Sequence, residues 1–429
     1  MRTAGWVIIG SLVSLSRKRL AATLVALPVF AWAGIAVFAV SLAPSTWVEL
    51  KSLPQTGHSA ILAIGVNPLN NQVVIVGTAQ GSLLRSADGG ASWNQVHTGS
   101  SGLLTIAFSP VKSGFVLAGT RGSGALMSRD GGVTWAAVRG MDARSVRAFG
   151  FALTFIAAGT DHGVYVSTDG LTWRQSGLST ISVGALAIAA IHDPVRMVAG
   201  SDAASSVGGT PLFQSTDGGL TWAQMRASIN GKVVSSIAAG PLPPTGNTRP
   251  LVVGTNAGLF SSRDNGATFT PNSGGGLLPS TDYTQIAFVT THFDRYYTAS
   301  DGGGSSSGGL WRSNDSGRHF TSLAPPLPAV TGLAVSNDEA PILYVATFRP
   351  ADQVAVLWAY RDTGAAPQEP PTEVTPSASG ARPGTPAASG SSNLRDLLLS
   401  SRTPYIAVGL IAVIVILLAV VSHFRGRRG

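Results

Sequence analysis

Seven short apolar segments in the middle of the chain close on threonine or serine: Val73–Thr78, Phe115–Thr120, Phe155–Thr160, Arg196–Ser201, Leu251–Thr255, Tyr296–Ser300 and Ile342–Thr347. The residues that follow them read Ala79, Arg121, Asp161, Asp202, Asn256, Asp301 and Phe348. Three carboxylates, an amide and a guanidinium at equivalent places in a repeat could hold a cation or bind a sugar. Asp161, Asp202 and Asp301 could equally supply a catalytic acid/base pair, such as Asp161 with Asp301. Aspartate also favours loop starts because its side chain bonds to nearby backbone amides, so turn chemistry alone accounts for the same pattern. His162 follows Asp161 and is the one histidine beside this set. The seven histidines show no paired metal-ligand spacing and cysteine is absent, so no metal centre and no cofactor is expected. A second cluster, Arg139, Arg144 and Arg147, surrounds Asp142. It suits docking of a partner, or is a solvated loop. The glycines fall in hairpin turns rather than at strand-to-helix junctions, which argues against Walker A and dinucleotide loops.

The elements that must position these residues are short strands in a repeat. Downstream of six of the seven segments comes a turn of the form S-x-D-x-G-x-x-W/F. Its aspartates are Asp88, Asp130, Asp169, Asp217, Asp264 and Asp315, and its closing aromatics are Trp93, Trp135, Trp173, Trp222, Phe269 and Phe320. The aspartates are 42, 39, 48, 47 and 51 residues apart, about the length of a four-stranded propeller blade. In each copy the aspartate can bond to amides of its own turn, and glycine supplies the positive φ. The seventh segment is followed by Val354–Tyr360 and then by a change of composition, so its blade lacks a fourth strand. Trp47–Leu50 stands as an orphan strand ahead of the first blade. Pairing the two closes a ring of seven and removes its edges.

These residues resemble the Asp-box, or BNR, repeat of sialidases, sortilin-type receptors, xyloglucanases and photosystem II assembly propellers. The resemblance covers residues 45–362 and implies an all-β, seven-bladed β-propeller. In that family's geometry the Asp boxes occupy one face, and the residues after the strand-end Thr/Ser surround the mouth of the channel on the other. Two insertions, 202–211 and 301–309, fall on that non-box face. The sialidase arginine in an F/Y-R-I-P motif is missing: Phe348-Arg349-Pro350 lacks the isoleucine and lies near the far end. Only Glu49 and Glu339 are available in 45–362 for a Tyr–Glu nucleophile pair. Sialidase chemistry is therefore disfavoured, and a xyloglucanase-like hydrolase using two aspartates stands as the alternative to a non-enzymatic binder. Photosystem II assembly propellers present an arginine patch to a client, a role that falls here to Arg139, Arg144 and Arg147.

The formal charge of +8 divides unevenly along the chain. Residues 1–44 carry +4, residues 45–362 carry +1 and residues 363–429 carry +3. A phosphate-binding domain would concentrate the excess on the folded part, so nucleic acid is not an expected partner. The terminal charge instead flanks two apolar runs. Leu20–Ala43 follows Arg17-Lys18-Arg19, and its helix would measure roughly 36 Å against ~30 Å of hydrocarbon. Ser41-Leu42-Ala43 also has the small residues of a signal-peptide cleavage site, but the run exceeds an ordinary h-region and Pro44 follows at once. Tyr405–Val421, within a span of 404–422, precedes Arg425, Arg427 and Arg428. Both outer flanks are the more basic, so the 1–19 and 423–429 tails are expected in the cytoplasm and the propeller outside. Residues 363–403 form a Pro/Ala/Ser/Gly-rich linker. The expectation is an integral membrane protein with two spans. Its extracytoplasmic propeller would bind a protein or carbohydrate ligand on the non-box face.

Overall fold

A computed structural model describes residues 42–50, 53, 59–190, 195–202, 210–229, 233–241, 249–273, 276–278, 280–303, 308–349, 351 and 353–364. The 20–41 part of the first apolar run, the linker beyond residue 364 and the 404–422 run lie outside these residues. So do the 203–209 and 304–307 parts of the two insertions. No helix among the described residues is long and apolar enough to cross a membrane.

Among the described residues 28 strands form seven four-stranded antiparallel sheets. Blades one to seven span 61–98, 103–137, 146–177, 183–224, 234–272, 285–322 and 330–361. The first strand of each blade packs against the first strands on either side, and blade seven returns to blade one, so the ring closes about a channel. The fourth strand of blade seven is Trp47–Glu49, whose register is Trp47 with Tyr360 and Glu49 with Trp358. The seven-bladed, all-β expectation therefore holds, including closure by the N-terminal strand.

The repeated apolar segments are the second strands. Val74–Thr78, Val116–Thr120 and Leu251–Thr255 are buried at every residue, because neighbouring blades cover both faces. Their small residues have a steric cause. A Cβ added to Gly119 would lie 2.3 Å from the Val146 carbonyl oxygen, and one on Gly254 only 2.0 Å from that of Tyr283. The start of the next blade approaches that closely. The strand-end hydroxyls then cap the hairpins: Thr120 Oγ1 donates to Gly124 O at 2.8 Å and Thr160 Oγ1 to Gly163 O at 3.0 Å.

The six S-x-D turns share one hydrogen-bond pattern. In the first, Ser86 Oγ donates to Asp88 Oδ1 at 2.7 Å and accepts from Gly90 N at 2.8 Å, while Ser92 N donates to Asp88 Oδ1 at 2.9 Å. Gly90, Gly132, Gly219, Gly266 and Gly317 carry φ between 82 and 94°, and Gly170 of the shortened third copy carries 77°. Bonds from Thr221 hold the Asp217 carboxyl down at about 2. Asp264 and Asp315 also sit at about 2: partial burial raises them, and bonds from Thr268 and from His319 outweigh it.

Each closing aromatic enters a different inter-blade core. Trp93 packs between blades seven and one, Trp135 between one and two, and Trp173 between two and three. Trp222, Phe269 and Phe320 fill the next three. The seventh interface, between blades six and seven, is filled by Trp47. Leu42 packs into the blade-seven/blade-one core and is 5% exposed. Residue 42, within the apolar run read as Leu20–Ala43, is thus part of this core. At the other end Asp362, fully buried, receives Arg312 Nη1 at 2.5 Å and Tyr297 OH at 2.6 Å. Thr363 and Gly364 extend the packed region past 362, through Ser45 Oγ and Arg312 Nη2 respectively.

Candidate functional site

The first strand of six blades carries a register shift near its start: between Ile61/Ala63, Leu103/Thr105, Val146/Ala148, Val183/Ala185, Val234/Ser236 and Val330/Gly332. A bulge leaves one residue outside the ladder and re-aims its side chain. The skipped residues are Leu62, Leu104, Arg147, Gly184, Ser235 and Thr331, and all six line the channel at the end opposite the S-x-D turns. That channel is a cavity of about 640 Å³, with Ile64, Ile106, Leu186, Ile237, Ile286 and Leu333 among its apolar lining residues. Spacing alone did not single out this inner ring. The available signal was the residue after the first buried apolar position of each first strand.

Six of the seven residues that follow the second strands occupy equivalent backbone positions. Ala79, Arg121, Asp161, Asp202, Asn256 and Phe348 each donate N–H to a carbonyl ahead of their own blade's first strand. Their side chains diverge. Asp161 Oδ1 accepts from Ser145 N at 3.1 Å, and Asn256 Oδ1 from Val233 N at 3.0 Å. These two are spent on holding their own loops, as turn chemistry allows. His162 Nδ1 lies 3.3 Å from Asp161 Oδ1 and stays half-exposed. Asp202 and Asp301 turn to the mouth. Asp202 pairs with Arg147, which also donates to Ser182 Oγ at 3.1 Å. The pair bridges blades three and four through space left by Gly184, where an added Cβ would lie 2.4 Å from Asp202 Cβ.

Asp301 accepts from Gly303 N at 3.0 Å and lines the channel with Arg121. The carboxylate beside it is Asp282, not Asp161 as the sequence pairing had it. An added Gly303 Cβ would lie 3.3 Å from Asp301 Oδ1 and 3.5 Å from Asp282 Oδ2. Asp282 precedes a first strand rather than following a second, so the strand-end pattern passed over it. Its carboxyl is pushed up by burial, a bond from Ser235 Oγ at 2.6 Å pulls it down, and the Asp301 charge adds to the rise.

The three arginines of the second cluster have separate surroundings. Arg139 is exposed and its backbone pairs with Leu171 and Trp173 of the blade-three turn. Arg144 Nε donates to Tyr165 OH at 3.3 Å. Only Arg147 reaches the channel. Among the described residues no three His, Cys, Asp or Glu side chains gather as a metal set. The mouth therefore offers both charge signs around an apolar well, in a form suited to recognition.

No family profile and no curated protein matches this chain. Solved structures do. RRP9 WD40 repeats superpose with a TM-score of 0.56 at 15% identity, over 75% of this chain and 98% of that one. YCF48 from Cyanidioschyzon merolae gives 0.48 at 16% identity, over 73% and 98%. An ancestral GH74 enzyme gives 0.40 at 16% identity, over 72% of this chain and 55% of that one. At these identities the RRP9 likeness speaks to the β-propeller fold alone.

Proposed function

We propose that this chain is a membrane-tethered, extracytoplasmic binding propeller of the Asp-box type, which takes a polypeptide segment at its bulge-lined channel mouth. The observation that carries the reading is the partly exposed Arg147–Asp202 pair, with Arg121 and Asp301 lining the aliphatic channel and Asp282 beside Asp301. Such a mouth complements a segment that presents charges of both signs around an apolar side chain. The shared hydrogen bonds of the six turns support the Asp-box assignment. Retention of the N-terminal apolar run as an anchor is supported by Leu42, because cleavage after Ala43 would strip it from the core. Both termini are then cytoplasmic and the propeller outside. The test is photo-crosslinking in native membranes from position 121 of the full chain. A discrete polypeptide adduct that disappears in Arg147→Glu supports the reading, and an identical pattern in both overturns it.

A second reading is a glycoside hydrolase. What favours it is the Asp282–Asp301 pair, in which burial raises the Asp282 carboxyl and suits it to the part of the acid. Turnover of glycosides lost in both Asp282→Asn and Asp301→Asn would establish it in place of the first.

A further inference from the structure

Alternation of strands sorts every loop to one of two ends. The turns between first and second strands share one end with the S-x-D turns, and the second-to-third hairpins share the other with the blade-to-blade connections. Seven large apolar side chains are exposed among the described residues. Leu69, Val111, Leu153 and Phe293 stand in first-to-second turns, and Val133 and Leu220 in S-x-D turns. All six occupy the same end, on five different blades. Only Leu278, in the connection into blade six, lies elsewhere. Exposed apolar residues scattered singly carry no meaning, whereas this collection on one end calls for a partner. The channel widens there into a recess of about 670 Å³ lined by Val111, Leu153, Phe108, Phe151 and Lys112.

The chain itself identifies what covers this end. The third strand of blade seven, Val354–Arg361, runs from the hairpin end to the turn end, and Pro44 bridges Arg361 in parallel. Ser45 N donates to Arg361 O at 2.9 Å. The described chain therefore enters the propeller at the turn end with Leu42 packed in the core, and in the sequence the apolar run read as Leu20–Ala43 leads directly to that point. The geometry points to the turn end as a bilayer-contacting face: the six apolar tips enter the lipid interface and the channel mouth with Arg147 and Asp202 faces away from the membrane. This inference rests on the tethered reading above. Interfacial burial of single apolar side chains around a rim, with a lysine among them, is how peripheral surfaces hold to lipid.

The chain has no cysteine, so single labels are simple to place. The full chain is reconstituted in phosphatidylcholine/phosphatidylglycerol vesicles with an environment-sensitive fluorophore at Leu69→Cys, Val111→Cys, Leu153→Cys, Leu220→Cys or Phe293→Cys, and at Ser123→Cys in a hairpin of the opposite end. Lipid-borne quencher is expected to reduce emission at least twofold at the first five and to leave Ser123→Cys unchanged. Equal quenching at both ends, or quenching by aqueous iodide alone at the five tips, overturns the inference. Tips shielded from both quenchers in native membranes point to a covering protein and also overturn it. Carbonate washing separates the two readings: a chain that resists extraction with unquenched tips keeps the tether and loses the face. A chain that washes off after its tips were quenched keeps the face and loses the tether.

Discussion

Trp47 lies against Tyr360 with ring centroids 4.7 Å apart, and its indole N–H donates to Leu323 O at 2.9 Å. One contact joins the N-terminal strand to the third strand of blade seven, and the other joins it to blade six. In the other six interfaces the aromatic comes from an S-x-D turn and its ring, where it is indole, bonds inside that turn, as Trp93 Nε1 does to Gly90 O at 3.1 Å. Blade seven has no such turn, and the chain's own beginning replaces it. Trp47→Ala should therefore cost about 3–5 kcal/mol, as large-to-small core changes do, and open the ring rather than loosen one blade. Denaturant titration followed by circular dichroism measures this. A midpoint unchanged from the parent chain would contradict it.

The second closure device is the buried Arg312–Asp362 pair. Asp362→Ala removes the carboxylate that Arg312 Nη1 bonds in the core and should destabilise by about 3–5 kcal/mol. Replacing both by Met and Leu should recover much of that loss, because the desolvation of both charges is removed together. Thermal unfolding of the three variants gives the comparison, and a double variant no better than Asp362→Ala would refute it.

The turn aspartates predict an acid limit. Their carboxyls are lowered in the folded chain, so the stability they contribute is fully present above the ordinary value near 3.8 and is lost as pH falls through about 2. Unfolding midpoints should fall between about pH 4 and pH 2. The fall should be shallower in a chain with Asp264→Asn and Asp315→Asn together, read by acid titration of the far-ultraviolet signal.

At the mouth, the Arg147–Asp202 pair is partly solvated, so breaking it should change stability by no more than about 1 kcal/mol. Its effect on binding should be larger. Arg147→Glu is expected to weaken partner capture at least tenfold while melting unchanged, with a reduced dependence on salt in Arg147→Gln. A loss of affinity that tracks a loss of folded protein would mean that the pair is structural.

Blade number, blade order and the closing strand were legible because the S-x-D turn is local: its serine, aspartate and glycine meet within about a single turn of chain and need no partner blade. Trp47–Leu50 could be placed by elimination, as the one strand left over. The outer ring was legible as backbone positions for the same reason. Its side chains were not, because Asp161 and Asn256 bond to loops 16 and 23 residues away in sequence, while Asp202 reaches Arg147 across 55.

The sequence by itself determined a seven-fold repeat, its turns, its closure and the uneven terminal charge, all of which rest on residue type and near spacing. Tertiary structure decided which residues face the channel. A bulge shifts one strand residue out of register, and Gly184 leaves the room that Asp202 occupies. Both depend on how neighbouring blades pack, and packing joins residues whose separation along the chain carries no signal of their contact.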